Sequence, residues 1–158
     1  MKERGILFSA PMVRAILSGA KSQTRRIVKP QPIGVWGQGA IRSHTFVGVV
    51  IGPHDHCWTC PYGAPGDRLW VRETWRTGGD GVTWYAADME PWQIARAKPW
   101  RPSIFLPRVQ SRLTLRVTDV RVESLHAMTS AEALLEGIEP SAAPGEPASP
   151  WMRFFLLW

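Results

Sequence analysis

Cysteine is scarce in this chain of 158 residues, which holds only two, and that excludes the disulfide framework on which small secreted domains depend. No apolar run is long enough to span a bilayer, and Met1-Lys2-Glu3-Arg4-Gly5 leads into a short apolar stretch broken at Pro11, unlike a secretory leader. A cytoplasmic protein with reduced thiols and no membrane partner is therefore expected. Internal repeats and low-complexity arrays are missing too, so repeat architectures drop out. Acidic residues are the remaining shortage: 13 Asp and Glu stand against 19 Lys and Arg, for a net charge of +6. Arginine makes up most of the basic set, and its planar fork pairs with phosphate and stacks on bases. The balance favours an anionic partner such as nucleic acid, while six charges dispersed over a surface would signify less.

Basic and hydroxyl groups are concentrated at Ser18-Gly19-Ala20-Lys21-Ser22-Gln23-Thr24-Arg25-Arg26. Upstream, Ser9-Ala10-Pro11 reads as a helix start, with a serine oxygen to accept an orphan backbone N–H and a proline that costs no intrahelical bond. Met12, Val13, Ile16 and Leu17 fall on one helical face, and Gly19 supplies a left-handed stop. Lys21 then sits just beyond a helix end, with Thr24 and Arg25 on the segment leaving it. Two readings are open here: a binding segment, or a lysine placed to complement the negative end of a helix dipole.

The two cysteines lie in His54-Asp55-His56-Cys57-Trp58-Thr59-Cys60, which groups His54, His56, Cys57 and Cys60 as potential zinc ligands. A single C-x-x-C without a distant second ligand pair is not the pattern of a structural zinc site, so no metal is expected. Residues 29–44, rich in proline and glycine, read as an irregular insertion, followed by a β-branched strand over 45–51. Pro61 to Asp67 is a turn cluster. It feeds a strand in which Leu69, Val71 and Glu73 alternate with Trp70, Arg72 and Thr74, and residues 82–86 give another short strand. From Pro91 to Pro107, Trp92, Arg96, Trp100 and Arg101 interleave. They either offer stacking surfaces for bases or pin the loop to the body.

Residues 111–125 predict the clearest strand, with Leu113, Leu115 and Val117 facing one way and Arg112, Thr114 and Arg116 the other. Asp119 interrupts a second phase carried by Val120 and Val122, which suggests a bulge or bend of the kind closed barrels need. Thr129-Ser130-Ala131-Glu132 is a capping box opening a short helix that Gly137 ends. Glu136 in its last turn is opposed by the helix dipole. On an exposed helix that is a small cost, and in a cleft it is a route to a general base.

These residues together carry a resemblance. Gly19-x-Lys21-x-x-Thr24-x-Arg26, the Gly66-Asp67 turn before a strand, and the late strand with a small helix ending Glu136-Gly137 resemble the ASCH domain, a PUA-like β-barrel family. Cys60-Pro61-Tyr62-Gly63, Pro65-Gly66-Asp67-Arg68-Leu69-Trp70-Val71-Arg72-Glu73 and Trp100-x-Pro102-Ser103-Ile104 are similar to ASCH-like proteins of phages and prophages, some labelled morphogenesis proteins. The resemblance implies an α+β fold: a small barrel over residues 1–140 with short flanking helices and long insertions near 29–60 and 91–107. Residues 141–158 would follow as a Pro/Ala-rich, apolar tail. The phage-type relatives continue into a Trp-rich closing strand while this chain stops at Trp158, so the closing strand is missing or the barrel closes differently.

The resemblance also implies a cleft facing RNA or a modified nucleoside; no cofactor is expected. In family members that hydrolyse N4-acetylcytidine, the matching lysine, threonine and helix-end glutamate form the proposed catalytic set, here Lys21, Thr24 and Glu136. Arg25, Arg26, Arg72, Glu73, Arg96, Trp100 and Arg101 are the accompanying candidates for nucleic-acid or substrate contact. Binding of RNA or a modified nucleoside, amidohydrolase activity on N4-acylated cytidines, and a non-catalytic phage accessory role are the three functions in view.

Overall fold

The computed structural model describes residues 1–29, 41–42, 48–50, 57–96, 99–139 and 149–157. Strand β1 (Glu3–Leu7) leads through Ser9 into helix α1 (Ala10–Leu17), and three short strands follow: β2 (Ile41–Arg42), β3 (Gly48–Val50) and β4 (Cys57–Thr59). Then come β5 (Arg68–Arg72), β6 (Trp75–Thr77), β7 (Thr83–Tyr85), helix α2 (Pro91–Arg96), β8 (Thr114–Arg116) and β9 (Arg121–Val122). Helices α3 (Ser130–Leu135) and α4 (Pro150–Leu157) end the described chain.

The main sheet has the order β1-β5-β8, with β1 parallel to β5 and β8 antiparallel to it. Alternation along β5 behaves as its pattern predicts. Leu69 and Val71 are buried, Trp70 and Arg72 only partly so, and the alternation continues past the strand end to bury Glu73 and then Trp75. Ile6, Phe8, Val13, Leu69, Val71 and Ala87 form the core, with Leu113, Leu115 and Val117 packed on it, so the predicted inward phase of β8 is also observed. Three antiparallel ribbons, β2-β9, β3-β4 and β6-β7, complete the strands. The result is a mixed α+β protein of small sheets and few short helices, and the described strands do not close into a barrel.

Several local expectations change. Ser9 precedes α1 with extended backbone, but its side chain makes no capping bond, and its carbonyl instead accepts Val13 N–H at 2.9 Å. Only Val13 of the anticipated apolar face is buried, with Ile16 packed partly on the core, while Met12 and Leu17 are exposed. The strand expected over 111–125 is two strands in different sheets: β8 pairs with β5 and β9 pairs with β2. The change of phase near Asp119 is thus the passage of the chain from one sheet to another. The strand expected over 45–51 is seen as Gly48–Val50, its remaining residues lying outside those described. The anticipated capping box is present in full: Thr129 Oγ1 accepts Glu132 N–H at 3.3 Å and Glu132 Oε2 accepts Thr129 N–H at 3.0 Å.

At the C-terminal end, Met128, Ala133 and Phe154 form a second small core with Leu125, Ile138 and Trp151, so α4 packs on α3. His54 and His56 lie outside the described residues, and Cys60 carries a free, half-buried thiol. Among the described residues no cluster of His, Cys, Asp and Glu is arranged to hold a metal ion, and no helix is long and apolar enough to cross a membrane.

Candidate functional site

Gly19, at φ +78°, turns the chain out of α1 in the left-handed region, as its position predicts. The segment it releases runs directly against the end of α3. Ser22 N–H and Gln23 N–H both donate to Leu135 O, at 2.9 and 3.0 Å, and Lys21 pairs with Glu136 as an isolated antiparallel bridge. These bonds satisfy carbonyls that a helix C-terminus otherwise leaves without partners. Lys21 Nζ finishes the contact, donating at 2.7 Å to Glu136 O and at 2.7 Å to Glu136 Oε2. The lysine does complement a helix end, but the helix is α3, 115 residues away, and not the α1 it follows. Its side chain is 2% exposed and that of Glu136 6%. Burial pushes the Lys21 ammonium below its ordinary value, against the opposing pull of the Glu136 hydrogen bond and charge.

Arg25 extends this pair into a network. It reaches Glu136 Oε1 at 3.2 Å, Glu123 Oε1 at 2.7 Å and Glu132 Oε2 at 3.4 Å, while Arg121 joins Glu123 at 3.3 Å and Glu132 at 2.7 Å. Three cations, Lys21, Arg25 and Arg121, thus meet three carboxylates, and the cluster is neutral as a unit. The dipole-opposed placement of Glu136 is therefore not the main electrostatic fact about it, because two cations touch its carboxylate. Glu132 is held below the usual carboxylate range by the Thr129 backbone donor, helped by Arg25 and Arg121.

Thr24 and Arg26 form the outer edge. Arg26 Nη1 donates to Thr24 Oγ1 and to Arg25 O, each at 2.8 Å, and its Nη2 donates to Leu7 O at 3.1 Å. No hydrogen bond among the described residues joins the Thr24 hydroxyl to Lys21 or Glu136. The Phe8 ring lies beneath both cations, 5.6 Å from the Arg26 guanidinium and 5.9 Å from Lys21 Nζ. Arg25 is committed to carboxylates; Arg26 is exposed and contacts none among the described residues.

Phe8 connects this edge to Glu73. Its N–H donates to Arg72 O at 3.1 Å, which continues the β1–β5 register and sets Phe8 beside Glu73 at the carboxyl ends of the two parallel strands. Glu73 is 1% exposed and accepts a bidentate pair from Arg112, at 2.9 and 3.0 Å. Arg112 also holds Asp88 at 2.7 Å and lies 4.2 Å from the centroid of Tyr85. The Arg72 guanidinium lies instead over Trp70, at 5.2 Å.

The loop candidates sit further along the chain of β5 and β6. Arg101 bridges Trp75 through its backbone, with its guanidinium 5.1 Å from that ring. Trp100 donates its indole N–H to Ile94 O at 2.9 Å and carries Arg76 at 5.8 Å from its centroid, so it pins the loop. Arg96 is exposed at the end of α2. Lys21, Arg25 and Glu136 are therefore in direct contact, Thr24 and Arg26 lie at their edge, and the Phe8–Glu73 neighbourhood continues the wall. Sequence reasoning passed over Glu123, Arg121 and Phe8, and it placed Arg112 outward. The alternating charges Arg121 and Glu123 beside the already recognised Glu132 were the available signal for the network.

Gly137 is where this geometry is most sensitive to added bulk. Its φ is +83°, and a Cβ there would stand 2.8 Å from Ala15 Cβ and 3.1 Å from Lys21 Cβ. Gly137→Ala is expected to cost roughly 2 kcal/mol or more, from left-handed strain and overpacking together. Chemical denaturation checks it, with an unchanged midpoint as the contrary result. Against known proteins, no family model, no curated protein and no solved structure matches this chain.

Proposed function

We propose that this chain is an ASCH-type, PUA-like protein that binds RNA or a modified nucleoside where the segment after α1 meets the end of α3. The observation that carries the reading is the bond from Lys21 Nζ to Glu136, which joins the two elements on which the family resemblance rests. The exposed Arg26 guanidinium above Phe8, with no carboxylate partner among the described residues, supplies the contact for an anion, and the Thr24 hydroxyl beside it supplies a polar one. The sheet and ribbons belong, in this proposal, to a small barrel of the PUA-like kind; the resemblance adds a phage or prophage origin, and the scarce cysteines favour a cytoplasmic setting.

Hydrolysis of N4-acylated cytidine is the second reading, and the lowered basicity of the buried Lys21 amine favours it. In that reaction Thr24 Oγ1 adds to the acyl carbonyl carbon as its proton passes to the base of the Lys21–Glu136 pair, the C–N4 bond breaks with N4 taking that proton, and water then cleaves the acyl-threonine. The Thr24 hydroxyl is held by Arg26 and is not bonded to either base, which favours binding over turnover. Incubation with N4-acetylcytidine, followed by chromatography, separates the two. Binding without released cytidine supports the module; release that Thr24→Val abolishes supports the hydrolase; neither binding nor release refutes both.

A further inference from the structure

The outward face of the main sheet carries a different arrangement. Where three strands lie side by side, the first row across them is Glu3, Arg68 and Arg116, each directly opposite its neighbour. Arg108 reaches onto this row from the turn before β8 and takes both Glu3 oxygens, at 2.9 Å each. Arg108 therefore takes the Glu3 carboxylate, and Arg68 and Arg116 face each other with no carboxylate among the described residues within ion-pair distance. Like charges directly opposite in an antiparallel pair repel. Elsewhere Arg25, Arg112 and Arg121 are each matched to carboxylates.

The next row is Gly5, Trp70 and Thr114. Gly5 leaves the room: a Cβ there would meet Trp70 and Arg72 at 3.0 Å each, so the indole lies across the bare backbone of β1. The third row begins with Leu7 and Arg72, whose guanidinium stands over the Trp70 ring and makes no hydrogen bond through its buried Nε. Rows two residues apart are separated by roughly 6.6 Å along the strands. The face thus presents an arginine pair and, in line with it, a guanidinium backed by an aromatic ring. Beside Arg116 a hollow of about 400 Å³ opens, lined also by Pro65, Gly66, Val117 and Thr118, with room for a phosphate group.

We propose that this face binds single-stranded RNA, with Arg68 and Arg116 holding a backbone phosphate and a base stacking on the Arg72 guanidinium that Trp70 backs. Paired guanidinium forks suit phosphate, and a guanidinium plane backed by an aromatic ring accepts any base. The surface is on the opposite side of the sheet from Phe8 and Glu73. It goes beyond the reading of the Lys21–Glu136 site, which free nucleosides probe separately.

The test is fluorescence-anisotropy titration of unmodified, labelled oligouridine across a salt series, using the whole chain. For Arg68→Gln with Arg116→Gln, the slope of log affinity against log salt is expected to shrink by about 0.7, the value for one lost phosphate contact on a single strand. Trp70→Ala is expected to weaken binding roughly five- to hundredfold, and Trp70→Phe to retain most of it. Thermal unfolding of each variant confirms that the sheet is intact, and the glutamine pair, by removing repulsion, is expected to leave it so. The proposal is overturned if wild-type protein does not bind oligouridine at low salt, if folded variants bind as wild type does, or if heparin competes equally and Trp70→Ala is silent. In each of those cases nucleoside binding at the Lys21–Glu136 site can still be observed.

Discussion

Lys21→Met should destabilise the protein by about 3–5 kcal/mol, the usual cost of removing one partner from a buried ion pair. The change leaves the Glu136 carboxylate buried with only Arg25 Nη1 upon it, at 3.2 Å, and it strips the Glu136 carbonyl of its lysine donor. Because Arg25 remains, the loss should fall toward the lower end of that range. Adding Glu136→Leu should recover part of it, since Arg25 keeps Glu123 and Glu132 and no buried charge is then orphaned. A double-mutant cycle by denaturant unfolding reads this directly; purely additive losses would contradict the pairing. The pH dependence has a defined sign. Burial lowers Lys21 in the folded state below its ordinary 10.5, so the unfolded chain binds more protons between those two values. Its contribution to stability therefore rises as pH rises through that window. Lys21→Met should remove that rise, while stability near neutral pH falls.

Arg112→Met is expected to be equally severe for a different reason. Glu73 is almost completely buried and takes both its side-chain hydrogen bonds from Arg112, so the variant leaves a carboxylate in the core with nothing opposite it. A loss of about 3–5 kcal/mol follows, or roughly 6–20 °C in Tm for a chain of this size. Asp88 also pairs with Arg112 but is about half exposed, so Asp88→Asn should cost under about 1 kcal/mol. Glu73→Leu combined with Arg112→Met should regain much of the loss, because an apolar pair of similar volume needs no compensation. Calorimetric melting of the four proteins distinguishes this from a merely superficial salt bridge, for which Arg112→Met and Asp88→Asn would shift Tm alike.

These two ion pairs also mark how far local sequence carries. The alternation through Leu69, Val71 and Glu73 placed a glutamate on the inward face, and the structure buries it there. Its partner was not legible, because Arg112 precedes β8 and the turn before the strand aims it, not the strand's own alternation. The capping box at Thr129 and the positive φ of Gly19 and Gly137 follow from chemistry confined to a few residues, and each is observed. Ser9 met the same local rule without forming its bond, since the rule gives a preference that tertiary geometry overrides. The contact of Lys21 with Glu136 spans 115 residues, beyond the reach of periodicity, and only the family resemblance brought those positions together. The same distance hid Glu123 and Arg121, whose approach to Arg25 depends on how β9 and α3 pack. The apolar end of the chain forms a helix against α3, a partnership that composition alone does not specify.

Binding at the exposed edge of that site is the central claim, and Arg26 is the residue on which it can be tested without disturbing the buried network. Arg26 contacts no carboxylate among the described residues, and its bonds to Thr24 and to the main chain lie at the surface. Isothermal titration of N4-acetylcytidine and its 5′-monophosphate into wild-type protein, Thr24→Val and Arg26→Gln is the direct measurement. Saturable binding that survives Thr24→Val and falls about tenfold or more in Arg26→Gln, most steeply for the monophosphate, is the predicted result. No heat of binding to wild type, or equal affinity in folded Arg26→Gln, would contradict it.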